Sequence, residues 1–252
     1  MNIDNPCSHD IPELKKLWKE AFGDTDETID GFFNTAFSEK RCMCVKSDGN
    51  LAAALYWFGC KCADNDVAYI YAVATYEVYR GKGIFHKLME HTHQHLKNIG
   101  YIGAVLVPGS NSLFDFYEAM GYSVCGNISE INTVASENHI DIRKIDEYEY
   151  AGLRRKLLPE RGVVQENENL DYLETQAEFY AGDSFLLAAQ KHGEKLYGME
   201  LLGDDTVISD ILCTLNCKSG VFRIAGNERK FAMYYSLGSD EVKPEYFGLA
   251  FD

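Results

Sequence analysis

Apolar residues recur three and four apart over residues 11–22, at Leu14, Leu17, Trp18 and Phe22. That spacing predicts an amphipathic helix. A second helical pattern covers residues 25–37, with Ile29, Phe32, Phe33 and Phe37. The period then changes to two. Residues 41–46 and 51–60 flank Ser47-Asp48-Gly49-Asn50, and an Asp-Gly pair between apolar runs predicts a hairpin. A turn centred on Asp48-Gly49 would set Cys44 opposite Ala53 and Cys42 opposite Leu55. A strand follows at residues 67–74. Residues 84–99 then form a helical pattern with Ile84, Phe85, Leu88, Met89, Leu96 and Ile99 on one face, and Gly100 stops it. Residues 101–107 read as a buried strand and 108–112 as a loop. Residues 113–120 read as a short helix capped by Ser112, with Gly121 just past its end. Another strand opens at 122–125.

The regular pattern lapses near residues 134–140, which sets an expected boundary between domains 1–135 and 136–252. Beyond it, helices are predicted at 146–158 and 169–180, and strands at 184–190 and 195–202. A helix at 205–215 follows, and then strands at 221–225, 231–236 and 246–251. Both halves open with two helices and then strands, so the second half reads as a degenerate internal duplication of the first. Only the first half has a glycine-rich basic turn, so a phosphate-bearing cofactor is expected there alone.

The length of 252 residues allows one large domain or two small ones with a sizeable core. The apolar share of 46% and charged share of 25% are those of a globular protein. No apolar run is long enough to span a bilayer. Met1-Asn2-Ile3-Asp4-Asn5-Pro6 lacks the basic and apolar regions of a signal peptide, so the expected compartment is the cytoplasm. A net charge of −15 argues against nucleic acid as a main partner and is compatible with a cationic amine. Eight cysteines in such a chain are expected to be reduced thiols. Cys42-x-Cys44 and Cys60-x-Cys62 have strand spacing, and packing explains them better than zinc.

The chemically suggestive segment runs from Tyr71-Ala72-Val73-Ala74-Thr75 into Val78-Tyr79-Arg80-Gly81-Lys82-Gly83-Ile84-Phe85-His86. A strand end, a glycine-punctuated basic turn and a helix start make an anion site. Gly81 and Gly83 leave room for backbone N–H groups to face a pyrophosphate, and Arg80, Lys82, His86 and Lys87 supply positive charge. A Walker A loop fails, because Gly81-Lys82-Gly83 is followed by Ile84 and not by Ser or Thr. A dinucleotide fingerprint fails too, with His86 at its third glycine and no acidic residue at the expected later place.

Arg80-Gly81-Lys82-Gly83, after a Val-Ala-Thr strand end and before an amphipathic helix, resembles the acetyl-CoA loop of the GNAT-type N-acetyltransferases. Their pattern is Gln/Arg-x-x-Gly-x-Gly/Ala. Arg80 and Gly83 match it, while Phe85 stands where the family has a small residue. Phe116-Tyr117-Glu118-Ala119-Met120-Gly121-Tyr122 resembles the family's Phe-Tyr-x-x-x-Gly-Tyr/Phe block, one helix and one strand further on. The resemblance covers residues 11 to about 127. It implies an α/β (α+β) fold: a GNAT-like mixed sheet flanked by helices, with strands splayed at the acetyl-CoA site. A second, smaller α/β domain would wall the acceptor pocket.

The resemblance further implies acetyl-CoA as co-substrate, bound through Val73, Ala74, Thr75, Arg80, Gly81, Lys82, Gly83, Ile84, Phe85 and His86. The acceptor it implies is a primary amine on a small molecule or peptide. Tyr117 would protonate the departing sulfur; its alternative is plain core packing beside Leu113, Phe116 and Met120. The general base is not legible, although Glu77 lies between strand and loop. Tandem GNAT proteins of the enhanced-intracellular-survival type, which the duplication resembles, bring the terminal carboxylate to the active site. That makes Asp252 a catalytic candidate, with a last strand of the second domain as the alternative reading of the tail. His86, His91, His93 and His95 do not converge on one helix face, so no metal is expected. Nucleic-acid and membrane partners are not expected either, and a homodimer is compatible with the chain. A non-catalytic acyl-CoA-binding sensor or interaction protein is the rival reading, and a metal-dependent hydrolase the third.

Overall fold

The computed structural model describes residues 1–238 and 242–251. Its contacts divide into two compact units. Unit one takes Met1–Cys60, Asp64–Leu106 and the described residues from Tyr235 to Gly238. Unit two takes Lys61–Ala63, Val107–Tyr234 and the described residues from Val242 to Phe251. The units interleave along the chain and do not meet at a single cut near residue 135.

Unit one contains β1 (Asn2–Asp4), α1 (Ile11–Phe22), α2 (Asp26–Thr35), β2 (Cys42–Ser47), β3 (Asn50–Cys62, up to Cys60), β4 (Asn65–Thr75), α3 (Ile84–Asn98) and β5 (Gly103–Leu106). Its strand order is β1-β2-β3-β4-β5, antiparallel at β1/β2 and β2/β3 and parallel at β4/β5. β3 shows why helices cover both faces. Tyr56 meets Trp18 at 5.4 Å and Phe58 meets Phe32 at 5.9 Å, while Trp57 between them meets His95 of α3 at 5.8 Å. Side chains alternate across a strand, so a run that is apolar at every position is buried on both sides.

The hairpin forms where expected, with its register shifted by one. Cys44 pairs with Ala54 and Cys42 with Tyr56, not with Ala53 and Leu55. Asp48 and Gly49 take positive φ (52° and 84°), as a two-residue hairpin turn requires. The register then jumps between Val45 and Lys46, so one residue of β3, Ala52, is a bulge. The Ala52 carbonyl instead accepts from the Tyr76 N–H at 3.0 Å.

Unit two contains α4 (Ser112–Ala119), β6 (Ser123–Val134), β7 (Arg143–Ile145), α5 (Glu147–Leu157), β8 (Val164–Gln165), α6 (Glu168–Glu174), β9 (Glu178–Ala181), β10 (Phe185–His192), β11 (Lys195–Gly203), α7 (Ile208–Thr214), β12 (Ser219–Ala225) and β13 (Arg229–Ser236, up to Tyr234). Its strand order is β13-β6-β12-β11-β10-β9-β7. The stretch β7-β9-β10-β11-β12 repeats the plan of β1-β2-β3-β4-β5. In each, two α-helices separate the first two strands and one helix separates the last two, and that last pair is parallel. Ile208, Ile211 and Leu212 of α7 pack on Leu187, Leu196 and Phe222.

Two expected elements differ. The helix predicted over 169–180 stops at Glu174, and Glu178–Ala181 is strand β9. Phe179, Tyr180 and Ala181 suit either period, and pairing on both sides, with β10 and β7, decides for strand. The strand predicted over 246–251 is a buried extended segment without a ladder. The Gly248 carbonyl accepts from Arg223 Nη1 at 3.2 Å and the Leu249 carbonyl from Gln165 Nε2 at 2.8 Å, so side chains take the acceptors a strand partner would use. The cap of α4 is Asn111, not Ser112, and its buried residues are Phe114 and Tyr117, with Leu113 exposed.

Candidate functional site

The candidate loop lies wholly in unit one. The parallel ladder between β4 and β5 runs from Val67–Gly103 to Tyr69–Val105, and β4 continues past it to Thr75. Within that extension Ala72 has φ +47°, a left-handed conformation rare for a residue with a side chain. Tyr71, Ala72, Val73 and Thr75 are half-buried and Ala74 is buried. A single 3-10 turn, Glu77–Tyr79, leads out of the strand. It is held by the Glu77 N–H donating to Glu20 Oε1 at 3.0 Å and the Arg80 N–H donating to the Glu77 carbonyl at 3.1 Å.

Gly81 and Gly83 follow with φ of +72° and +71°. Gly83 is the N-cap of α3, and the Lys87 N–H donates to its carbonyl at 3.3 Å. Arg80 folds back, its Nε donating to the Thr75 carbonyl at 3.1 Å, and Lys82 Nζ donates to the Val78 carbonyl at 2.9 Å. These bonds park two cationic side chains beside a helix N-terminus, where the dipole already favours an anion. Val73, Ala74, Thr75, Arg80, Gly81, Lys82, Gly83, Ile84, Phe85 and His86 thus lie on one strand–turn–helix segment. Arg80 through Gly83 and His86 are exposed, whereas Ile84 is buried.

Residues 2–125 match the family model described as an acetyltransferase (GNAT) domain. The chain carries a GNAT acetyltransferase domain. Its fold is similar to that of a GCN5-related N-acetyltransferase from Kribbella flavida, with a TM-score of 0.69 and 12% identity over 92% of this chain and 70% of that one. It is similar to Eis1 from Mycobacterium abscessus, with a TM-score of 0.69 and 11% identity over 94% of this chain and 74% of that one. It is also similar to a putative acetyltransferase from Pyrococcus horikoshii, with a TM-score of 0.65 and 11% identity over 98% of this chain and 91% of that one. At these identities the likeness is one of fold. A search of curated proteins finds no match.

GNAT proteins use acetyl-CoA, and three observations fit the loop of this GNAT domain to its pyrophosphate. The first turn of α3 contains no acidic residue. A Cβ at Gly81 or Gly83 would meet nothing within 4 Å, so both positions stand open. The Thr75 hydroxyl at the strand end is buried with no hydrogen-bond partner among the described residues.

Tyr117 of the GNAT domain lies on α4, in unit two, and is 8% exposed. Its ring meets Tyr122 edge-on at 5.5 Å. Burial pushes its phenol up to about 12, so it stays protonated through neutral pH. Asp252 lies outside the described residues.

Sequence reasoning missed Ala72, because nothing in the residue type announces a left-handed backbone. It also missed Glu20, which steadies the turn from a distant helix. Of the helix histidines, His93 is buried against Tyr235 at 4.2 Å and His91 is exposed. Among the described residues no three His, Cys, Asp or Glu side chains gather where they could hold a metal ion. No helix among them is long and apolar enough to cross a membrane.

Proposed function

We propose that this protein transfers the acetyl group of acetyl-CoA to a primary amine of a small molecule or peptide. The observation that carries the reading is the open end of β4: the strand outruns its parallel partner and leads, through one 3-10 turn, into a glycine-lined helix N-terminus. Pantetheine would lie along Val73–Thr75 and the pyrophosphate on Arg80–His86. The amine nitrogen attacks the thioester carbonyl carbon, the C–S bond breaks, and the acetylated nitrogen loses a proton. Tyr117 gives its phenolic proton to the departing thiolate and is reprotonated from solvent. The carboxylate of Asp252 is the proposed acceptor of the amine proton. A backbone N–H of the β4 end would stabilise the developing oxyanion.

The second unit reads as a GNAT-like repeat that shapes the acceptor site without holding cofactor. Its parallel ladder breaks register between Gly198 and Leu201 and pairs again at Leu201–Ile224, two residues short of the end of β11. The segment between β11 and α7 begins Asp204-Asp205 where the first copy has its basic turn, and like charge would repel a pyrophosphate. One acetyl-CoA per chain is therefore expected by calorimetry. A thiol-release assay with acetyl-CoA and a panel of polyamines, aminoglycosides and peptides tests the activity. Tight CoA binding with no turnover on any amine would replace the enzyme reading with a sensor.

A further inference from the structure

A buried polar cluster in unit two gathers around one carboxylate. Glu200 of β11 and Arg154 of α5 are 0% and 1% exposed. Arg154 Nε donates to Glu200 Oε2 at 2.6 Å and Nη2 to Oε1 at 2.9 Å, while Nη1 donates to the Val163 carbonyl at 3.0 Å. The Tyr150 hydroxyl donates to Oε2 at 3.2 Å and the Tyr246 hydroxyl to Oε1 at 3.1 Å. Each carboxylate oxygen thus accepts two bonds, one from the guanidinium and one from a phenol. Burial alone would lower the Arg154 pKa, but the Glu200 carboxylate holds it above the ordinary value.

A buried ion pair of this kind is weak evidence of stability, since apolar side chains of the same volume serve as well or better. What it does add is direction, because only one placement of the partners satisfies every bond. Tyr246, 46 residues beyond Glu200, opens the buried segment 246–251. The Tyr246 carbonyl accepts from the Val163 N–H at 2.9 Å. The Gly248 and Leu249 carbonyls accept from the buried side chains of Arg223 and Gln165. Phe247, Leu249 and Ala250 are fully buried, and Phe251 packs edge-on to Tyr172 at 5.1 Å. The fit is tight at Gly248: a Cβ there would come within 2.0 Å of the Tyr246 hydroxyl and 2.9 Å of Glu200 Oε1.

We propose that Arg154, Glu200 and Tyr246 form a latch that fixes residues 246–251 in one place. Glu200 and Tyr246 are positioning residues. Their effect on turnover rests on the reading that the Asp252 carboxylate takes the amine proton, whereas the latch itself does not.

The test uses the full-length chain with Tyr246→Phe and with Glu200→Gln, read by hydrogen exchange. In both variants the amides of residues 246–251 should exchange about ten-fold faster or more, with β10 and β12 unchanged. Unchanged exchange in the segment, or equal acceleration in β10 and β12, overturns the latch. With acetyl-CoA and the best amine, kcat should fall while CoA affinity holds. A loosened segment with unchanged kcat supports the latch and removes Asp252 from the mechanism. A measurement on the wild type needs no variant to fold: the amides of residues 247–251 should be protected from exchange, and exchange there at the unfolded-chain rate overturns the proposal.

Discussion

Gly83→Ala separates the two duties of the candidate loop. Gly83 has φ +71°, where a residue with a Cβ costs about 1–2 kcal/mol. The alanine also restricts the unfolded chain, although that gain is realised in full only where the native backbone suits it. No clash adds to this, because the new methyl meets nothing within 4 Å. The net loss is about 1 kcal/mol, or a fall in Tm of about 2–4 °C for a chain of this size. The same methyl would occupy the space through which a pyrophosphate reaches the N–H groups of Ile84 and Phe85. Losing one hydrogen bond to a charged partner costs about 1.5–3 kcal/mol, which is about 10- to 150-fold in Kd. Calorimetry with CoA and with pantetheine, which lacks the pyrophosphate, reads this directly. CoA should weaken by that factor while pantetheine is unaffected. A CoA affinity within about two-fold of wild type, alongside the expected fall in Tm, would refute the loop as the pyrophosphate cradle.

His93 makes the protein acid-sensitive. Burial lowers its pKa from 6.5 to about 4, so the unfolded chain takes up the proton first as pH falls. Its contribution is present above pH 6.5 and is lost progressively towards pH 4, about 3 kcal/mol in all. Urea melts at neutral pH and near pH 4.5 should show the loss in wild type and less of it in His93→Phe. Tyr117 acts at the other end: burial raises its pKa from 10.0 to about 12, so stability is full below pH 10 and falls by about 3 kcal/mol as pH rises through 12. Tyr117→Phe should remove that alkaline loss and cut turnover by about 10²-fold or more with CoA binding intact; unchanged turnover would make Tyr117 core only. Ala72→Val places a β-branched side chain at φ +47° and should cost more than about 2 kcal/mol, measured by denaturant melts. A Tm equal to wild type would refute the left-handed backbone at Ala72.

Long periodic elements were legible in the chain. α1 and α3 lie within a residue of their predicted ends, and Gly100, with φ +98°, follows α3 as a stop signal should. The loop was legible because glycine at fixed offsets reports backbone geometry: Gly81 and Gly83 both take the positive φ that their residue type permits. β1 and β7 were not legible, since three residues carry no period. The hairpin shows the limit within a good reading. Asp48-Gly49 correctly located the turn, but the bulge at Ala52 depends on where its carbonyl finds a donor, and that donor is Tyr76.

The sequence by itself determined the local chemistry: where glycine, charge and a helix start coincide, and which residues share a helix face. Those properties depend on residues within a turn or two of one another. The tertiary structure decided what depends on distant partners. It ended the β4 ladder at Tyr69, and in β11 it broke the register after Gly198 and resumed pairing at Leu201. It turned the expected final strand into a segment held by Arg223, Gln165 and the Glu200 carboxylate. Buried polar groups must find partners wherever the fold supplies them, and neither Glu200 nor Tyr246 carries a local signal of the other.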